Sequence, residues 1–149
     1  MIYYFAYGSN MDIDQMKERC PDSKLTGKAV LKNYRLDFTI FSPKRNCGCA
    51  DIVKSFGDEV HGLLYTLTPK DLKKLDGLEA HPYKYKRFKT KVMDESGKEI
   101  KAETYEVVNK KKEFQKPSKD YLNKLIMAAK NFNFPKYYQK LLWDIEVQD

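Results

Sequence analysis

A glutamate near the middle of the chain has the spacing of a residue placed for acid–base chemistry. Leu72, Leu75 and Glu79 lie at i, i+3 and i+7 in a segment that opens with the helix-start pattern Thr68-Pro69. This spacing puts the carboxyl group on the leucine face, beside the helix C-terminus, where burial and the helix dipole both raise its pKa. Glu79 is therefore a candidate general acid–base, unless the last turn frays into water or the carboxylate pairs with a lysine.

A second candidate is the loop Tyr7-Gly8-Ser9-Asn10, which follows a short aromatic strand and directly precedes a predicted helix. A loop in this position points several backbone N–H groups, together with the positive end of the helix dipole, toward one place. Gly8 lets a ligand approach the backbone closely. We expect the loop to hold a carboxylate or a developing oxyanion. The same residues also occur in ordinary turns, where Ser or Asn caps the following helix.

The cysteines and histidines offer a weaker possibility of a metal site. Cys47 and Cys49 could supply two zinc ligands, with His61 or His81 completing the set. Zinc sites usually separate paired cysteines by about two to four residues, however, so we expect no metal and no cofactor. With Cys20 the cysteines form an odd number at irregular spacing, which indicates reduced thiols and a cytoplasmic location.

The charge balance raises the question of a nucleic-acid partner. The 149 residues include 28 Lys and Arg against 21 Asp and Glu, which gives a net charge of +7. Between Tyr83 and Lys91 basic side chains alternate with aromatic ones, a pattern that suits stacking on bases and neutralising phosphates. A strand with one solvated, lysine-rich face has the same pattern, and we favour that interpretation. The basic residues of this stretch are Lys84, Lys86, Arg87, Lys89 and Lys91.

Length and composition favour a single domain over residues 1–149. A chain with 42% hydrophobic and 13% aromatic residues is too apolar for disorder and long enough to bury a core. No apolar run approaches the roughly 18 residues of a membrane-spanning helix, and the first residues lack the basic region of a signal peptide. We therefore expect no membrane partner. For the oligomeric state we expect a monomer or a homodimer.

Hydrophobic periodicity predicts an α+β domain built on a curled, largely antiparallel sheet. Strands are predicted over residues 2–7, 28–41, 49–56, 59–67, 85–93 and 99–108. Helices are predicted over residues 11–19, from Pro69 to about Glu79, from Ser118 onward, and after Pro135, where the last carries Ile145 on its apolar face. Gly57-Asp58 has the composition of a hairpin turn between the third and fourth strands, and residues 94–97 that of a second hairpin.

Three blocks of this sequence, in their order and spacing, resemble the gamma-glutamylcyclotransferase family, also called AIG2-like or BtrG-like. The blocks are Tyr4-Phe5-Ala6-Tyr7-Gly8-Ser9-Asn10-Met11, Gly57-Asp58-Glu59-Val60-His61-Gly62-Leu63-Leu64-Tyr65 and Leu75-Asp76-Gly77-Leu78-Glu79. The similarity continues through Tyr85, Gly97-Lys98-Glu99-Ile100 and Tyr105 into the C-terminal helices, so that it covers nearly the whole chain.

The resemblance implies a small, barrel-like mixed sheet flanked by helices, with a metal-free cavity that binds a γ-glutamyl group. In such enzymes the YGSN loop holds the glutamyl moiety and one Glu is the acid–base. The products are 5-oxoproline and a free amino acid or amine. Carried onto this sequence, the loop is Tyr7, Gly8, Ser9 and Asn10, the acid–base is Glu79, and Tyr85 and Tyr105 match tyrosines that line the cavity.

This chain departs from the family pattern in two places. Cys47-Gly48-Cys49 stands where many members have a Gly-Gly pair before a strand, and Ala80 follows Glu79 where a Gly is common. The first change puts the shape of one cavity wall in question, and the second affects only the local turn.

We expect a small γ-glutamyl substrate, whose leaving group could be an amino acid, an amine or a biosynthetic intermediate. Two other classes of function stay open. A non-catalytic module that binds a small carboxylate would tolerate the loss of Glu79. A nucleic-acid-binding protein would depend on the basic stretch around Lys84, Lys86 and Arg87, and its affinity would fall steeply with salt.

Overall fold

A closed five-stranded barrel forms the centre of the structure, a computed structural model that describes residues 1–149. The strands are β1 (Ile2–Ala6), β2 (Lys24–Ser42), β3 (Cys47–Leu67), β4 (Tyr85–Asp94) and β5 (Glu99–Val107), in the order β1-β3-β2-β4-β5. Neighbouring strands pair antiparallel except β1 and β5, where Tyr4 pairs in parallel with Glu103 and closes the barrel. The predicted α+β class with a mixed, largely antiparallel, barrel-like sheet is confirmed.

Four helices flank the barrel: α1 (Ile13–Arg19), α2 (Pro69–Leu78), α3 (Lys119–Asn131) and α4 (Lys136–Trp143). The predicted cap at Thr68 forms, since Thr68 Oγ1 accepts the Asp71 N–H at 3.1 Å. Ser118 caps α3 in the same way, because its Oγ accepts the Tyr121 N–H at 3.1 Å. No helix has both the length and the apolar character needed to cross a membrane.

The ends of the first and last predicted helices differ from the structure. Residues Ser9–Met11 form a separate 3₁₀ turn, so the first α-helix begins only after Asp12, whose side chain caps it by accepting the Asp14 N–H at 3.2 Å. The last helix ends at Trp143, which leaves Ile145 beyond it. Apolar spacing marks which face of a segment is buried but does not mark where its hydrogen bonds end.

The predicted hairpin at Gly57-Asp58 is wrong, because residues 47–67 form the single strand β3 and both of its halves pair with β2. Lys32 lies opposite Glu59 and Tyr34 lies opposite Lys54, so residues 55–58 bulge out opposite Asn33 alone. Gly57 has a φ of +87° and donates its N–H to Asn33 Oδ1 at 3.1 Å. The positive φ that suits a turn glycine serves a bulge here.

One hydrophobic core of 31 buried residues fills the barrel and continues under the helices. Its largest fully buried side chains include Phe5 and Phe38 from the barrel, Leu75 from α2 and Tyr138 from α4. Helix α3 packs against α4 and against the 3₁₀ turn. The core therefore fixes the 3₁₀ turn and the end of α2, the two segments that carry the predicted site.

Gly48, between two cysteines at the start of β3, lies against the segment that leads into α3. Its N–H donates to the Lys116 carbonyl at 2.8 Å. A Cβ at this position would lie 1.8 Å from the backbone oxygen of Gln115. Only glycine fits this close approach of two backbones.

We expect Gly48→Ala to lower the free energy of unfolding by about 2 to 3 kcal/mol, because backbone at Gln115 must move to admit the methyl group. The matched control is Gly77→Ala in α2, where no atom lies within 4 Å of the added Cβ. This control should raise stability by up to about 1 kcal/mol. Urea unfolding measures both, and equal effects of the two substitutions would contradict the contact described for Gly48.

Candidate active site

A cavity of about 440 Å³ lies between the loop after β1, the end of α2 and the β2–β3 loop at residues 43–46. Residues of all five strands and of helices α1 and α3, together with Lys84, contribute the rest of its wall. All seven site residues predicted from the sequence line this cavity, namely Tyr7, Gly8, Ser9, Asn10, Glu79, Tyr85 and Tyr105. The structure therefore brings together residues that are up to 98 positions apart in the chain.

Glu79 is the first residue after α2 and supplies the only carboxylate in the wall of the cavity. Its side chain is 20% exposed, and the nearest cationic atom is Arg19 Nη1, 3.9 Å from Oε1. Burial raises the pKa of the Glu79 carboxyl group, and the positive charges of Arg19 and Arg45 oppose that rise. The last turn of α2 is therefore not frayed into water, and Glu79 does not pair with a lysine. Its carboxyl group accepts no hydrogen bond from the chain.

The loop after β1 presents free backbone N–H groups to the same cavity. In its 3₁₀ turn the first N–H to reach a carbonyl is that of Met11, which donates to Gly8 O at 3.0 Å. The N–H groups of Ser9 and Asn10 therefore have no acceptor within the turn. A Cβ at Gly8 would lie 3.2 Å from the Tyr121 hydroxyl oxygen and 3.3 Å from the Ala50 Cβ, so a larger residue would require these neighbours to shift.

Hydrogen bonds to other residues of the protein hold the side chains of this loop in place. Asn10 is buried, donates to the Tyr4 hydroxyl oxygen at 2.9 Å and accepts from Arg19 at 3.1 Å and Gln15 at 2.9 Å. Ser9 Oγ accepts from Gln15 at 2.9 Å. Because Ser9 and Asn10 already have these partners, their side chains orient the loop, while their backbone N–H groups have no acceptor in the protein.

Four cations line the same cavity as the single carboxylate, and the prediction from sequence did not place them there. They are Arg19, Lys44, Arg45 and Lys84. Arg45 reaches across from the β2–β3 loop, where Nη2 lies 3.2 Å from Ser9 Oγ and 3.1 Å from Gln15 Oε1. Its guanidinium group also lies over the Tyr121 ring, 5.2 Å from the centroid. The cavity therefore favours a ligand that carries negative charge.

Five tyrosines line the cavity, and they form two groups: the hydroxyl groups of three donate to the protein, and those of the other two accept from it. Tyr7 donates to the Tyr105 carbonyl at 2.7 Å, Tyr85 donates to the Ala50 carbonyl at 2.9 Å, and Tyr105 donates to Asp76 Oδ1 at 2.7 Å. In contrast, the hydroxyl oxygens of Tyr4 and Tyr121 accept protein N–H groups, at 2.9 and 3.0 Å.

Burial raises the pKa of all five phenols, so each keeps its single proton. Tyr7, Tyr85 and Tyr105 therefore offer a ligand only lone pairs. Tyr4 and Tyr121, which the sequence did not single out, still have a proton to donate.

The other candidate residues lie elsewhere or have different partners. His61 Nε2 lies 2.7 Å from Glu59 Oε2 and 2.9 Å from the Tyr137 hydroxyl, and His81 Nδ1 accepts the Arg87 N–H at 2.9 Å. Neither histidine joins the cysteine pair, and no group of three or more His, Cys, Asp or Glu side chains is arranged to bind a metal. In the basic stretch, the Arg87 side chain is held by two carboxylates within the protein.

Comparison with known proteins agrees with this geometry. The family model described as "Gamma-glutamyl cyclotransferase, AIG2-like" matches residues 4–123. The chain belongs to this family. The gamma-glutamylcyclotransferases of Bos taurus and Homo sapiens are each 34% identical to it over 151 residues, covering 98% of this chain and 79% of theirs. This protein is thus an enzyme of the gamma-glutamylcyclotransferase type.

Solved structures show the same relationship. A structure named "Gamma-glutamyl cyclotransferase" has a TM-score of 0.92 and 33% identity, and the match covers 99% of this chain and 89% of that one. A glutathione-specific cyclotransferase from yeast shares the fold at a TM-score of 0.61 with 14% identity. The gamma-glutamylcyclotransferase fold predicted from the sequence is confirmed.

The cysteines of this cyclotransferase should be unreactive. All three are free and buried, and burial raises the pKa of Cys20 to about 11 and of Cys49, in the cavity wall, to about 12. Since the thiolate is the reactive form, alkylation by iodoacetamide near neutral pH should be more than about 100-fold slower than for free cysteine. Mass spectrometry follows the reaction, with urea-unfolded protein as the control. Rapid modification of Cys49 in the folded protein would contradict the burial described here.

Proposed function

We propose that Glu79 is the general acid–base of this gamma-glutamylcyclotransferase and that the cavity binds the γ-glutamyl group of a small substrate. The observation that carries the proposal is that Glu79 is the only carboxylate in the cavity wall, held out of water with a raised pKa. A base must be ionised to accept a proton, so activity should rise with pH through this raised pKa.

Substrate oxygens would bind to the hydrogen-bond donors and cations of the cavity wall. A γ-glutamyl group carries an α-carboxylate and a γ-carbonyl oxygen, and both need hydrogen-bond donors. The free N–H groups of Ser9 and Asn10 and the hydroxyl protons of Tyr4 and Tyr121 supply such donors. Arg19, Lys44, Arg45 and Lys84 add positive charge around them.

The substrate ammonium would bind next to Glu79. The hydroxyl oxygens of Tyr7, Tyr85 and Tyr105 have given their protons to protein acceptors, so they can accept hydrogen bonds from an N–H group. In this arrangement the tyrosines predicted from the sequence contact the ammonium rather than the carboxylate. The reacting nitrogen then lies beside the base that must deprotonate it.

The reaction itself is an intramolecular acyl transfer. An α-amine has a pKa of about 8, and Glu79 removes one proton from its ammonium form. The free amine attacks the γ-carbonyl carbon, a C–N bond forms, and the donors described above stabilise the oxyanion. The original amide C–N bond then breaks to give 5-oxoproline.

The protons balance without water. The substrate ammonium carries three protons and the nitrogen of 5-oxoproline carries one. Glu79 passes the other two to the leaving nitrogen, which departs as an ammonium group. This sequence of bond changes requires no metal ion, cofactor or water molecule.

Three predictions about the whole protein belong to the same proposal. The single hydrophobic core supports one domain over residues 1–149. The free cysteines support a cytoplasmic location. For the oligomeric state we keep the expectation of a monomer or a homodimer, which sedimentation velocity would decide.

We expect Glu79→Gln to fold normally and to lose several orders of magnitude in kcat, because Gln keeps the shape of the side chain but cannot take a proton. The assay measures 5-oxoproline release by mass spectrometry from γ-glutamyl amino acids, γ-glutamyl amines and glutathione. The matched control, Glu99→Gln, changes a carboxylate that is 60% exposed on β5 and should leave kcat unchanged.

Near-normal turnover by Glu79→Gln would contradict the acid–base role. Binding of the same compounds by a wild type that releases no 5-oxoproline would favour the carboxylate-binding module instead.

A further inference from the structure

A second set of charged side chains lies behind the cavity, next to Glu79. Asp76 lies three residues before Glu79 in the last turn of α2. Arg87 of β4 donates hydrogen bonds to both carboxylate oxygens of Asp76. Arg87 Nε lies 2.9 Å from Oδ1 and Nη2 lies 3.3 Å from Oδ2. The remaining guanidinium nitrogen, Nη1, lies 2.7 Å from Glu103 Oε1 on β5. Asp76, Arg87 and Glu103 do not line the cavity, so they do not touch its contents.

The same arginine also holds the chain on the other side of Glu79. Its backbone N–H donates to His81 Nδ1 at 2.9 Å, and the His81 N–H donates to the Asp76 carbonyl at 2.9 Å. Glu79 is therefore bracketed by Asp76 before it and His81 after it, and both are tied to Arg87. The end of a helix is where fraying is expected, so these ties restrict a segment that would otherwise move.

A third contact connects the network with the cavity wall. The Tyr105 hydroxyl donates to Asp76 Oδ1 at 2.7 Å. A phenol has one proton, so this bond leaves only lone pairs of Tyr105 facing the cavity. Asp76 thus fixes the hydrogen-bonding direction of one tyrosine as well as the backbone that carries Glu79.

We propose that Asp76 and Arg87 are positioning residues for turnover, which orient Glu79 and make Tyr105 a pure hydrogen-bond acceptor toward the substrate ammonium. This inference rests on the acid–base role proposed for Glu79. The inference depends on the bidentate hydrogen bonds of Arg87. A lysine keeps the positive charge, but its ammonium group lacks the planar fork of donors that binds two carboxylates in this geometry.

The test uses Asp76→Asn, which keeps the size of the side chain but removes its negative charge, and Arg87→Lys, which keeps the positive charge but removes the guanidinium fork. Displacing a reacting group by about 1 Å can cost roughly 100-fold, so we expect kcat to fall about 10- to 100-fold in each variant. KM should stay within about threefold of the wild type, since neither residue touches the substrate. The matched control is Lys91→Met on the same hairpin, where an exposed ion pair with Glu99 is lost and kcat should not change.

Thermal unfolding of every variant fixes an assay temperature at which all are folded, and if Asp76→Asn does not fold, Arg87→Lys alone carries the test. A kcat within twofold of the wild type in the folded variants would overturn the inference. A rise in KM with an unchanged kcat would also overturn the inference. A wild type that releases no 5-oxoproline would overturn the proposed function and this inference with it, whereas an active wild type with fully active variants overturns the inference alone.

Discussion

The rest of the site depends on the carboxyl group of Glu79, which is largely held out of water. Every other charged group in the cavity wall is a cation. Water would stabilise the ionised form of Glu79 far better than this cavity does, and that loss raises its pKa. Arg19, 3.9 Å away, limits the rise without forming a close ion pair. A closer pair would stabilise the carboxylate and weaken it as a base, and an isolated glutamate would stay protonated. A position between these limits suits the proton-transfer role that we propose for Glu79.

The barrel makes this position possible because it joins segments that are far apart in the chain. The parallel pairing of β1 with β5 closes the sheet and brings the loop after β1 to the wall that Tyr105 completes. The β2–β3 connection then places Arg45 against Ser9 and over the ring of Tyr121. The cavity is thus built from chain connections together with residues of the strands and helices that the barrel holds in place.

The sequence predicts those parts of the site that have a local cause. The cap at Thr68 and the helical spacing of Leu72, Leu75 and Glu79 put the carboxyl group on the inward face, and the structure places it in the cavity wall. The hairpin of β4 and β5 likewise follows from alternation around a short turn.

What the sequence does not predict depends on contacts between distant segments. Gly57 has the same local chemistry in a hairpin turn and in a bulge, and pairing with β2 decides between them. Asp76 falls between the turns of the buried face, so its spacing predicts an exposed side chain, but the barrel supplies Arg87 and Tyr105 as partners. Tyr4, Tyr121 and Arg45 carry no local signal at all, since only the closed cavity gives them a common wall.

A pH titration of the Glu79 carboxyl carbon by ¹³C NMR tests the central claim most directly. The resonance is assigned by its absence in Glu79→Gln, and the titration is repeated in Arg19→Met. We expect a midpoint above the usual value near 4.5 in the wild type, and a still higher midpoint once the positive charge of Arg19 is removed. A midpoint at or below the usual value, or one that falls when Arg19 is replaced, would contradict a buried carboxyl group poised for proton transfer.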